Sequence, residues 1–227
     1  RPPRSTLFPY TTLFRSIPVN MLSKAKGRLS EILTPEQRET LTLITLGTVL
    51  HAAGPSAIVL TPDERVAEFV DGKARILREV PGRPGLNSQV DHAIEELVGR
   101  GIVTDRLLIL HADLPLVRSA TIEAFVASDP GPNSVTLAES SDGGTNAMLL
   151  NPPGKFEVRY GPKSFQLHVM TASDLGLHVH SCQNRELELD LDTPADIDRL
   201  LATARGQQTA AGHYLLSIGL GREGEFR

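Results

Sequence analysis

Arg106-Leu-Leu-Ile-Leu-His-Ala-Asp113-Leu-Pro115 is the stretch on which the fold turns. Four consecutive aliphatic residues, Leu107 to Leu110, fit a strand covered by helices on both faces, as in a parallel sheet. Pro115 bars the strand from continuing, and Asp113 lies just past its end. In open α/β sheets ligands gather outside the carboxyl ends of the strands, so this carboxylate stands where such a fold does its chemistry. A turn aspartate without a chemical role gives the same local pattern, and taken alone it is the simpler reading.

Outward from this strand, apolar runs alternate with helical periods. Ile17-Pro-Val19 reads as the end of a first strand, with Ala57–Leu60, Arg75–Val80, Asn133–Ala138, Thr145–Leu150 and Leu177–Cys182 as further ones. Thr34-Pro35-Glu36-Gln37 is a helix start, with a threonine cap, a first-turn proline and a glutamine three residues on. That helix is expected to reach about His51, with Leu41, Ile44, Thr48 and Val49 buried. Thr61-Pro62-Asp63-Glu64 repeats the capping pattern. Leu86, Val90, Ala93, Ile94, Leu97 and Val98 recur at helical spacing, and Ser119–Ala127 is a further helix. Thr193-Pro194-Ala-Asp196 caps a last one to about Ala204. Such alternation predicts βαβ units and a mostly parallel sheet in one α/β domain over residues 17–205.

A chain of 227 residues can bury a full core, and its 40% hydrophobic and 22% charged residues are ordinary for a globular protein. The net charge of −4 argues against nucleic acid as a partner. Cys182, the single cysteine, excludes an internal disulfide and a cysteine-based zinc cluster, and the expected compartment is the cytoplasm. No apolar run approaches the roughly 20 residues of a membrane span, so no membrane partner is expected. Arg1–Ser16 is unlike the rest: Thr6-Leu-Phe-Pro-Tyr is nearly repeated in Thr12-Leu-Phe-Arg, with no periodicity. It resembles a translated sequencing adapter and is set apart as a non-native leader, with Leu13-Phe14 standing in for the start of the first strand. From Gly206 to Arg227 the sequence turns glycine-rich, which leaves the order of this tail open.

Three groups of residues bear on chemistry. Lys24, Lys26 and Arg28 follow the first strand and suit a polyphosphate, or else form a solvated loop. Arg159-Tyr-Gly161-Pro-Lys-Ser164-Phe165 leads into a helix whose unpaired N–H groups offer an anion site beside a serine hydroxyl. Glu186-Leu-Glu-Leu-Asp190-Leu-Asp192 alternates strictly, so a strand would place its leucines on one face and its four acids on the other. That acidic face is either an exposed edge strand or part of a divalent-cation site facing Asp113. Gly219-Leu-Gly221-Arg-Glu-Gly224 matches a dinucleotide fingerprint by chance, since no helix can follow it. His178 and His180 share a strand face, for which a structural or surface role suffices.

In this order and at similar spacing, Ile17-Pro-Val-Asn, Ala25-Lys26-Gly-Arg28-Leu, Gly85-Leu-Asn87, His111-Ala-Asp113-Leu-Pro, Gly143-Gly-Thr145-Asn-Ala, Tyr160-Gly161-Pro-Lys-Ser164-Phe and Leu189-Asp190-Leu-Asp192-Thr-Pro resemble one family. That family is the phosphoenolpyruvate/2-phospho-L-lactate guanylyltransferases of coenzyme F-420 assembly. The resemblance spans about Ile17 to Ala204. It implies a three-layer α/β/α, Rossmann-like fold of the nucleotide-diphospho-sugar transferase kind. It further implies that GTP and a phosphorylated three-carbon acid give a diphosphate-linked guanosine adduct and pyrophosphate. By position, Asp113, Asp190 and Asp192 would hold Mg²⁺, with Asp113, Lys26 and Arg28 catalytic. Lys26, Arg28 and Asn87 would bind the nucleotide, and Thr145, Gly161 and Ser164 the acid. The sequence departs at Asn20, where the family usually has lysine, and at Gly27, where it has a hydroxyl residue. A molybdopterin or sugar-phosphate nucleotidyltransferase, or a non-catalytic phospho-ligand binder, are the alternatives.

Overall fold

The computed structural model describes residues 13–103, 105–154 and 156–221. Its strands in chain order are β1 (Phe14–Pro18), β2 (Ala57–Thr61), β3 (Arg75–Arg78), β4 (Leu107–Leu110), β5 (Ser134–Glu139), β6 (Thr145–Asn151) and β7 (His178–Ser181). Its helices are α1 (Pro35–Ala53), α2 (Glu64–Val70), α3 (Leu86–Gly99), α4 (Ser119–Ala127), α5 (Ser164–Asp174), α6 (Arg185–Glu188), α7 (Pro194–Leu201), α8 (Ala204–Gln207) and α9 (Ala210–Ser217). One seven-stranded sheet runs in the order β3-β2-β1-β4-β6-β5-β7. Every pairing is parallel except those of β6, which lies antiparallel to both β4 and β5. The turn between β5 and β6 explains that reversal: Gly143, at φ 84°, lets the chain double back within a few residues.

Alternate residues of each inner strand go to opposite faces. Ile17, Val59, Leu108 and Leu110 pack with Leu46 and Val49 of α1, Val66 of α2 and Phe125 of α4. Ile58, Leu60, Leu107 and Ile109 pack with Val90, Ile94 and Leu97 of α3 and Ala172 of α5. Two covered faces are why Leu107–Leu110 shows no polar alternation, and they make the three layers expected. A third cluster joins Leu29 and Leu41 to Leu189, Leu191, Ile197, Leu200, Ala211 and Leu215. It clamps the chain after β1 to the C-terminal segments.

Several expectations need correction. Glu186–Asp192 is not a strand. Asn184 Oδ1 accepts from Glu186 N at 2.9 Å and caps the single turn of α6, after which Leu189–Asp192 runs outside the sheet. All three leucines are still buried, but Leu187 enters the core under α1 whereas Leu189 and Leu191 enter the third cluster. Glu186 is spent on Arg118 at 2.7 Å, Arg205 at 2.6 Å and the Thr121 hydroxyl. Burial opposes its charge, but Arg205 and Arg118 hold its pKa down to about 2.

The tail from Gly206 is ordered through residue 221, with Ala211 and Leu215 fully buried. Its glycines allow close approach: a Cβ on Gly206 would collide with the Leu200 carbonyl, and one on Gly212 with the Gly206 carbonyl. The leader boundary after Ser16 falls inside β1, which begins at Phe14 as Leu13-Phe14 suggested, and residues 1–12 lie outside the described residues. In α1 the deepest residues are Leu41, Thr45, Leu46 and Val49, because the helix meets both the sheet and α9; Ile44 and Thr48 are only half-buried.

Asp63, not Thr61, caps α2, and it reaches further than a cap needs to. Its Oδ1 accepts from Arg65 N at 2.9 Å, and its Oδ2 from Leu22 N at 2.8 Å. The second bond fixes the loop that follows β1. Asp63→Ala leaves a buried N–H unpaired, which costs about 2 kcal/mol. The unfolding midpoint should fall by about 4–8 °C, as calorimetry would register.

Candidate active site

A cleft of about 560 Å³ opens at the carboxyl ends of β1 to β4. Asn20, Lys24, Lys26, Glu79, Leu86, His111, Asp113 and Asp192 line it. At one end Asp113, Asp190 and Asp192 each bring a carboxylate oxygen to within 4.8 Å of the other two. Leu191 N donates to Asp113 O at 3.2 Å, so the acid-bearing segment is tied by its main chain to the end of β4. From β6, the buried amide of Asn146 donates to Leu187 O at 2.9 Å and to Asp190 Oδ1 at 3.4 Å. Lys26 reaches the cluster from a left-handed backbone position, φ 51°. Its Nζ donates to Leu191 O at 2.6 Å and lies 3.6 Å from Asp113 Oδ2.

Three carboxylates and one lysine leave two negative charges in excess if all are ionised. At this separation each carboxylate pair repels by about 3–4 kcal/mol at an effective dielectric of about 20. The titration behaviour follows. Burial, then the charges of Asp113 and Asp192, push Asp190 up to about 7. Burial and Asp113 also raise Asp192. Burial is the largest influence on Asp113 and opposes its anion, but Lys26, His111 and hydrogen bonds together outweigh it and the net direction is down. Among the described residues, Asp113 Oδ1 is buried without a hydrogen-bond partner, as is His111 Nε2 nearby. An oxygen-rich cluster with an orphaned oxygen fits a hard divalent cation, and Asp113, Asp190 and Asp192 are the residues able to hold one.

A second constellation lies beside it, where β6 meets the start of α5. Ser164 Oγ donates to Thr145 Oγ1 at 3.3 Å, and Thr145 Oγ1 lies 2.9 Å from His168 Nδ1. The opposite ring nitrogen, Nε2, accepts from Arg159 N at 2.7 Å. A main-chain N–H only donates, so Nε2 carries the lone pair and Nδ1 the proton. His168 is fully buried, and burial lowers its pKa to about 4, so the ring is neutral at pH 7. Thr145 thus accepts from two neighbours, and its own proton is free to be given to a ligand. The ring of Tyr160 stands 5.1 Å from His111 and 5.1 Å from His168, with its hydroxyl buried and unpartnered.

The family model described as guanylyl transferase, CofC-like, matches residues 14–225. The chain belongs to that family. The CofC-like chain is 36% identical to a phosphoenolpyruvate guanylyltransferase of Sphaerobacter thermophilus over 85% of its length and 94% of the relative's. It is 30% identical to a 2-phospho-L-lactate guanylyltransferase of Methanocaldococcus sp. FS406-22, covering 90% and 87%. Among solved structures, a protein assigned as a nucleotide-diphospho-sugar transferase from Desulfovibrio desulfuricans G20 superposes with TM-score 0.73 at 15% identity, covering 89% and 93%. A nucleotidyl transferase from Methanothermobacter superposes with TM-score 0.57 at 18% identity, covering 90% and 99%. The fold is therefore the nucleotide-diphospho-sugar transferase kind, and the CofC-like chain is a nucleotidyltransferase. No helix among the described residues is long and apolar enough to cross a membrane.

The residues expected from sequence in this CofC-like chain sort into three groups. Asp113, Asp190, Asp192 and Lys26 converge. Thr145 and Ser164 share a hydrogen bond next to Gly161, which has φ 134°. Arg28 is exposed and acts at longer range, its charge lowering the pKa of Asp192. Asn87 has a structural partner: its Nδ2 donates to Tyr160 O at 3.0 Å and its Oδ1 accepts from Tyr160 N at 2.7 Å. At the start of α5, Ser164 N donates to Gly161 O and Phe165 N to Gly143 O, so two of the main-chain donors there are already engaged. Asn146 and His168 were not singled out in sequence. The signals were a polar residue inside the apolar β6 and a histidine four places after Ser164 on one helix face.

The acid cluster predicts a pH dependence without divalent cation. Asp190 has an ordinary pKa of 3.8 when unfolded and about 7 when folded, so the folded state binds more protons between those values. Its contribution to stability is complete below the lower value and is lost as pH rises through the upper one. The unfolding midpoint should fall between about pH 4 and about pH 7, and Asp190→Asn should flatten that slope. A midpoint in the native chain that rises over the same range would contradict this electrostatic description.

Proposed function

We propose that this protein transfers the guanylyl group of GTP to the phosphate of phosphoenolpyruvate or 2-phospho-L-lactate, in coenzyme F-420 assembly in the cytoplasm. The observation that carries the reading is the convergence of Asp113, Asp190 and Asp192 beside Lys26, at the junction of the cleft and the Thr145–Ser164 site. Asp113, Asp190 and Asp192 would hold Mg²⁺, which would supply charge neutralisation for the phosphates. Lys26 sits at the same junction, and Lys24 and Arg28 lie further out for the triphosphate. Thr145 gives its proton to the acid substrate, Ser164 stands beside it, and Gly161 provides the turn that admits the ligand. Asn87 holds the nucleotide side of the site, through α3, to Tyr160 on the acid side.

An acceptor phosphate oxygen attacks the α-phosphorus in line. A new phosphorus–oxygen bond forms, the bond from the α-phosphorus to the oxygen bridging the β-phosphate breaks, and pyrophosphate leaves with that electron pair. The acceptor is already an anion at neutral pH, so no protein base is required. Incubation with GTP, Mg²⁺ and each acid tests this. Pyrophosphate and a guanosine diphospho-adduct should form in equal amounts, and absence of both products with both acids overturns the proposal.

A further inference from the structure

The nucleotide cleft has two chemically different ends. Lys24, Lys26 and the acid cluster lie at the ends of β1 and β4, where phosphates belong. Toward β2 and β3 the lining is Pro62 after β2, Glu79 after β3 and Leu86 at the start of α3. β3 lies three strand positions from β4, on the order of 14 Å at ordinary strand spacing. That leaves room for a sugar and a base between them. Leu86 keeps 39% of its surface exposed, an apolar face turned outward at the first residue of α3. Glu79 is half-buried, and among the described residues its carboxylate makes no hydrogen bond or ion pair. Burial raises its pKa with no cation close enough to offset it, and Arg78 beside it is paired with Glu64 at 2.6 Å.

The loop that carries Glu79 is held rigid from behind. The buried Gln89 accepts from Val80 N at 2.9 Å and donates to Val80 O at 2.9 Å and to Arg83 O at 2.7 Å. A main chain held in this way next to an unpartnered carboxylate in a cleft wall is a preorganised support for a ligand group.

We propose that Glu79 selects the base by accepting from the N1–H and the 2-amino group of guanine, with Pro62 and Leu86 flanking the ring. The proposal rests on the guanylyl transfer argued above. An ionised carboxylate has two acceptor oxygens and no donor, matching the two adjacent donors on that edge of guanine. Adenine presents a lone pair at N1 and no amino group at position 2, so the same carboxylate repels it. The negative charge also sets polarity, because it drives the triphosphate toward Lys24 and Lys26. Glu79 thus takes the base-reading role, while Asn87 is occupied with Tyr160.

Titration calorimetry with GTP, ITP and ATP, each with Mg²⁺, on the full chain and on Glu79→Gln tests it. ITP keeps N1–H but lacks the 2-amino group. The native chain should bind GTP about tenfold or more tighter than ITP, and ATP more weakly still. Glu79→Gln should weaken GTP about 10- to 100-fold and shrink the GTP/ITP gap, with an unchanged unfolding midpoint. A native chain that prefers GTP and a variant that prefers it equally overturn the role of Glu79 and leave guanylyl transfer standing. A native chain that binds GTP no better than ATP overturns both.

Discussion

Asp113→Asn should lower guanylyl transfer by at least about 10³-fold while leaving the protein folded. Asp113 lies between two different demands. One oxygen is 3.6 Å from Lys26 Nζ, and the other is buried with no protein partner. The amide keeps the shape but removes a charge and turns donor hydrogens toward a lysine and a cation position. Without divalent cation the unfolding midpoint should fall by only a few degrees, because buried Lys26 loses its counter-charge while repulsion against Asp190 and Asp192 is relieved. The deficit should therefore sit in kcat rather than in the yield of folded protein. Rapid-quench measurement of a single turnover, alongside calorimetric unfolding, separates the two. A variant within about tenfold of the native kcat would remove Asp113 from the reaction.

Lys26→Met should destabilise the protein without divalent cation by about 3 kcal/mol, because it leaves Asp113 without its counter-charge. The lysine side chain is 3% exposed and that of Asp113 22%, so solvent screens the pair only in part. The variant also loses the bond to Leu191 O that holds the acid-bearing segment at 2.6 Å. Saturating Mg²⁺ should restore a large share of the lost stability, since it supplies positive charge at the same place. Activity should remain down by about 10²-fold or more, because the missing cation also faced the phosphates. Urea unfolding with and without Mg²⁺ measures the first effect and steady-state kinetics the second. Equal destabilisation in both conditions would mean that lysine and metal do not share a role.

Much of this is legible in the sequence, for identifiable reasons. Leu107–Leu110 announced a strand buried on both faces because it is apolar at every position, and the box from Thr34 to Gln37 placed a helix start to the residue. Thr145 and Ser164 were found through resemblance and then joined by a hydrogen bond. Residues Glu186–Asp192 misled because alternation is also what results when three leucines enter two different clusters from an irregular path. Asn184, a cap outside the alternating run, decides the matter, and its effect is local. The order of the tail stayed open in the sequence because glycine marks close packing as well as freedom, and only the neighbouring Leu200 carbonyl tells them apart. His168 stayed silent because its meaning depends on the main chain of Arg159, to which sequence spacing gives no clue.

The bond from Lys26 to Leu191 spans 165 residues of chain. Around it, the cluster that joins Leu29 to Leu189, Leu191, Leu200 and Leu215 is built from segments that leave the ribosome at opposite times. The sheet order lets β1, β2, β3 and β4 assemble from nearer neighbours, so most of the scaffold forms before Asp190 is synthesised. Assembly of the three-carboxylate cluster is therefore a late event in the life of each molecule. It is complete only once the segment between α6 and α7, which carries Asp190 and Asp192, is tied to the end of β4 and to Lys26.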